Sequence, residues 1–65
     1  MSSNVASALR SASIAIENAL LDLGNYADDP DVAPGTRRSI SAAVRRGNDI
    51  ANRLGDLAER EQERG

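Results

Sequence analysis

The groups in this sequence that can do chemistry are guanidinium and carboxylate, and their spacing is ordered. Eight cations oppose ten anions for a net charge of −2, and every cation is Arg. Arg37, Arg38, Arg45, Arg46 and Arg53 stand in the first half of what reads as a long helix, with Asp49 as the lone acid among them. Guanidinium offers a planar fork that grips carboxylate or phosphate bidentately. Two Arg beside a helix N-terminus oppose its dipole, so something anionic has to favour them there. Asp28, Asp29 and Asp31 in the adjoining turn, with Glu17 and Asp22 across the chain, have the right sign to be structural partners. The functional alternative is a phosphate backbone, with Arg37, Arg38, Arg45, Arg46 and Arg53 as nucleic-acid contacts. Against it stand the negative net charge and the lack of stacking platforms, Tyr26 being the one aromatic. Arg in place of Lys throughout is also what codon bias produces in a GC-rich archaeal, actinobacterial or phage genome.

Other chemistries are excluded by count. Without His or Cys there is no imidazole acid–base catalysis, no thiol nucleophile, no disulfide and no Cys/His zinc site. Serines are many, but neither His nor Lys exists to activate one. Asp28-Asp29-Pro30-Asp31 lacks the bend glycine and the distal bidentate Glu of a calcium loop, and turn duties explain the same residues. We therefore expect no catalytic, cofactor-binding or metal-ligating residue, and no enzyme. No apolar run approaches the roughly 20 residues of a membrane span. Surface-bound helices carry basic faces and aromatic anchors that are missing here. The opening Met1-Ser2-Ser3-Asn4 has neither the charged nor the apolar region of a secretory leader, so a cytoplasmic location is expected.

Two periodic stretches surround one cluster of turn residues. Val5, Leu9, Ala12, Ile16, Ala19, Leu23 and Tyr26 recur at alternating spacings of four and three, the seam of an amphipathic helix. Ser2 or Ser3 is a suitable N-cap. Gly24 is a suitable stop, taking the left-handed conformation after the last turn. Ile40, Ala43, Gly47, Ile50, Leu54 and Leu57 form the second seam, with Val44, Ala51 and Ala58 on its shoulder. Pro34 suits the first turn of a helix, where its missing N–H has no partner to lose. The sequence thus predicts an all-α antiparallel two-helix hairpin, one domain over 1–65. The helices cover about 3–25 and 34–62, with 26–33 as the turn, Asp29 or Asp31 as the second cap, and 63–65 frayed.

Placing the turn centre near residue 31 pairs Leu23 with Ile40, Ala19 with Val44, Ile16 with Gly47, Ala12 with Ile50 and Ala51, and Leu9 with Leu54. Large side chains then mostly oppose small ones, as interlocking layers require. Gly47 costs about 1 kcal/mol of helix propensity relative to Ala, and close approach of the backbones there offsets part of it. On the outer face, Asp49–Arg53 and Asp56–Arg60 are expected i,i+4 pairs with the acid N-terminal.

A lone hairpin buries each helix on one side only. Chains this short usually need a metal, a disulfide or a partner, and a disulfide is impossible here. The expectation is a homo-oligomer, a dimer first, forming a four-helix bundle or a larger helical assembly, or a complex with another protein. Ile14 and Leu21, seven apart on the face away from the seam, with Leu20 on its shoulder, are the expected interface.

The stretch Asp29-Pro30-Asp31-Val32-Ala33-Pro34-Gly35-Thr36-Arg37-Arg38, followed by Ala42-Ala43, resembles a signature of an uncharacterised family of short archaeal helical proteins. There an acid-containing turn leads to Val-Pro, a few residues, and Arg-Arg at the start of an Ala-rich helix. This chain inserts Ala33 between Val32 and Pro34 and shortens the gap to the Arg pair. The resemblance implies a helical fold and an archaeal source, and no activity.

Overall fold

The computed structural model describes residues 2–64. Met1 and Gly65 lie outside the described residues, as do the side chains of Ser2 and Ser3 expected as N-caps. Two helices, α1 (Ser2–Gly24, 23 residues) and α2 (Pro34–Arg64, 31 residues), pack antiparallel along one another. The result is an all-α hairpin with Cα extents of 48 × 14 × 10 Å. Pro34 opens α2 as its fixed φ requires. At the far end α2 runs on through Glu63 and Arg64 rather than fraying, and Arg64 pairs with Glu61 at 3.2 Å.

The turn differs from expectation in its chemistry. No described glycine has a positive φ, so Gly24 does not end α1 by a left-handed cap. Instead the chain leaves through successive i→i−3 bonds, with the amides of Asn25, Tyr26 and Ala27 donating to the carbonyls of Asp22, Leu23 and Gly24. The Asp29 carboxylate accepts from the Asp31 amide at 2.9 Å, which fastens the turn to itself rather than capping α2. The first α2 bond runs from the Arg37 amide to the Ala33 carbonyl, so Ala33 holds the N-cap position.

The contact between the helices is made by small residues. Buried positions are Ala6 and Ser13 on α1 and Ala51 and Ala58 on α2. Leu9, Ile16 and Leu20 of α1, and Ile40, Val44, Gly47 and Leu54 of α2, are half-buried beside them. The α1 seam is therefore turned by one position from the expected row. Ala6, Ser13, Leu20 and Ala27 replace Val5, Ala12, Ala19 and Tyr26, while Leu9 and Ile16 stay. On α2 the shoulder row Val44, Ala51 and Ala58 replaces Ala43, Ile50 and Leu57. Gly47, Ala51 and Gly55, four apart, make one low ridge that lets the backbones close in. The Ser13 hydroxyl donates to the Ala51 carbonyl at 2.8 Å across that contact, which is why a polar residue can sit there.

Register shifts as well. A Cβ on Gly47 would lie 2.7 Å from both δ carbons of Leu20, so Leu20 rather than Ile16 fills the notch, one helical turn from the expected pairing. Ala27 borders the same depression as Arg37, Ser41 and Arg45, so the start of the connecting segment lies beside the first turns of α2.

Candidate functional site

Because the contact is centred on Ala, Gly and Ser, many of the larger apolar side chains remain in solvent. Among the described residues no large side chain is fully buried. Val5, Ile14, Leu21, Leu23, Tyr26, Ile50 and Leu57 are 37–72 % exposed, with Leu21 the most open. For a hairpin with so small a core, this is far more than scattered surface leucine.

Helix geometry sorts these side chains onto two broad faces. Leu21 shares a groove with Glu17, Val44, Asn48 and Asn52, so the face carrying Ile14 and Leu21 is interleaved with polar residues. Ile50 shares a groove with Ser39, Ala42, Ala43, Arg46 and Gly47 on the opposite side of the layer. By the 100° step of the helix, Val5, Ala12, Ala19, Leu23 and Tyr26 of α1 lie on that same second side. Val5, Leu23, Ile50 and Leu57, expected in the hairpin seam, thus belong to an outward apolar face. Leu20, expected at the interface, belongs to the seam. Apolar counting does not find this face, because it assigns the same residues to the interior.

The five arginines do not form one face. Arg37, Arg38 and Arg45 surround a single depression at the start of α2, with Ser41 and Ala27 beside them. Arg46 borders the Ile50 groove, and Arg53 lies among Asp49, Asp56 and Arg60. Arg64–Glu61 is the single ion pair within 4 Å among the described residues. Neither Asp49–Arg53 nor Asp56–Arg60 closes, and the turn acids do not pair with Arg37 or Arg38. The Arg37 Nε is buried with no hydrogen-bond partner among the described residues. At the open end Arg10 donates to the Gln62 side chain across the hairpin.

Comparison with protein-family models, curated proteins and solved structures finds no match. Function must therefore be read from these surfaces. Among the described residues no three His, Cys, Asp or Glu side chains converge as metal ligands would. No helix of the described residues is long and apolar enough to cross a membrane.

Proposed function

We propose that this chain is a non-enzymatic helical oligomerisation module of the cytoplasm, acting as a small subunit, adaptor or regulator whose folded form is shared with another chain. The observation that carries the reading is the mismatch between interior and surface. Three alanines and one serine are buried, while seven large apolar side chains stay at least 37 % exposed. Removing apolar surface from water yields roughly 25 cal/mol per Å2, and the hairpin alone leaves most of that unused. A second helical layer would recover it, and small helical chains characteristically do so as two-fold assemblies.

Sedimentation equilibrium across 1–200 μM, run with thermal unfolding at the same concentrations, tests this. The expected result is a dimer or larger species whose melting temperature rises with concentration, as folding linked to association requires. A compact monomer with a concentration-independent transition would overturn the reading.

A second reading, a nucleic-acid-binding regulator, draws support from one cluster. Arg37, Arg38 and Arg45 share a depression and, among the described residues, have no carboxylate within 4 Å and no partner for the buried Arg37 Nε. A phosphate there would meet three guanidinium groups. On this reading RNA affinity falls steeply with salt, and Arg45→Ala weakens it at least several-fold while flattening the salt slope by about one unit. Affinity equal in the variant and the parent, or insensitive to salt, would remove this reading.

A further inference from the structure

We infer that the occupant of the outward Val5–Leu23–Tyr26–Ile50–Leu57 face is a second copy of this chain, related by a two-fold axis parallel to the helices, so that both turns lie at the same end of a four-helix bundle. This inference rests on the self-association proposed above and specifies its surface and symmetry.

Size is the first support. The hairpin layer has a Cα outline of 48 × 14 Å, about 670 Å2 before side chains are added. That is close to the ~800 Å2 per partner of a standard interface.

The second is shape. With Leu20 level with Gly47, and Ser13 level with Ala51 and Gly55, heights along one helix translate directly into heights along the other. An axis parallel to the helices sets α2 of one copy against α1 of its partner at unchanged height. Ile50 then meets the stretch between Ala15 and Ala19 of the second copy, Leu57 the stretch between Ala8 and Ala12, and Leu23 meets Ala43. These three large side chains face stretches rich in small ones, the pattern interdigitating layers need, while Val5 falls level with Glu61 at the open end. The other face-to-face arrangement, with turns at opposite ends, sets α1 against α1 and α2 against α2. Alanines would then face alanines, and Ile50, near the middle of α2, would meet its own copy.

Charge is the third support. Arg46 borders the Ile50 groove at the rim of this face, and Asp22 lies on the outer edge of α1. The parallel axis brings Asp22 of one copy level with Arg46 of the other. On the Ile14–Leu21 side Glu17, Asn48 and Asn52 interrupt the apolar surface.

The test combines substitution with distance. Ile50→Glu places a carboxylate in the interface and should weaken dimerisation about a hundredfold or more, whereas Leu21→Glu, an equal change on the opposite face, should leave it within about threefold. Should Ile50→Glu fail to fold, the exposed pair decides. Arg46→Asp and Asp22→Arg should each weaken the dimer, and the double reversal should restore it. Because the chain has no cysteine, a single spin label on Asp31→Cys reports the axis by pulsed dipolar spectroscopy. Turns at one end give a distance of about 15–30 Å, from 8–10 Å between packed helices plus two label arms. A distance near the 48 Å length of the molecule would overturn the parallel axis. Dissociation by Leu21→Glu but not by Ile50→Glu would overturn the face while leaving self-association intact. A folded wild-type monomer would overturn both.

Discussion

Gly47→Val is expected to destabilise the protein by about 2–3 kcal/mol, the range for forcing extra methyl groups into a packed contact. Intrinsic propensity works the other way, since Val is a few tenths of a kcal/mol better than Gly inside a helix. Any loss therefore reports collision with the neighbouring helix. The collision is specific: a Cβ at this position would sit 2.7 Å from Leu20 Cδ1 and Cδ2 and 3.2 Å from its Cγ. Two further methyl groups oblige Leu20 to leave the notch or the helices to part. Urea unfolding at one fixed protein concentration measures the loss. In a Leu20→Ala background the same substitution should cost less than about 1 kcal/mol, because the knob that it strikes is gone. Equal penalties in both backgrounds would mean that Leu20 does not occupy the notch.

Ala51→Leu should do more damage still. Ala51 is the most deeply enclosed of the described residues, at 0 % exposure, and its carbonyl accepts the Ser13 hydroxyl. Three added carbons have no space to enter, so the helices must separate at the middle of their contact. Separation also breaks the hydrogen bond from the Ser13 hydroxyl to the Ala51 carbonyl. Overpacking and the lost hydrogen bond together come to about 3–4 kcal/mol, a large share of what a domain this size possesses. Circular dichroism at 25 °C should show most of the helical signal lost at low micromolar concentration. Native ellipticity with an unchanged melting temperature would show that the helices do not meet at this point.

Both substitutions fall on small residues, and that explains what the sequence revealed and what it hid. The helices and their limits were legible, because a 3.6-residue period and Pro34 declare them without help from the rest of the fold. Gly47 was legible as a point of close approach. Its partner was not, because the path of residues 25–33 beside α2, which sets the register, follows from turn bonds such as Asp29 to Asp31 that have several alternatives in sequence. The inner row was misread for a different reason. Periodicity weighted by hydrophobicity selects Val5, Ile50 and Leu57 as interior, whereas close helix contact selects Ala6, Ser13, Ala51 and Ala58. A serine enters that row only because a backbone carbonyl lies opposite it, and pattern alone does not contain that carbonyl. The expected Asp49–Arg53 and Asp56–Arg60 pairs do not close, since exposed i,i+4 pairs gain only tenths of a kcal/mol.

Ser13 also settles a question of alignment. Two ridges made only of alanine and glycine would fit nearly as well after sliding by one turn, giving several settings of similar energy. A single directed hydroxyl-to-carbonyl bond at mid-length, together with one leucine that has one notch to enter, breaks that degeneracy. A slipped pair would lose both at once. The hairpin therefore has one setting, and any surface it presents to another molecule is presented in a single arrangement.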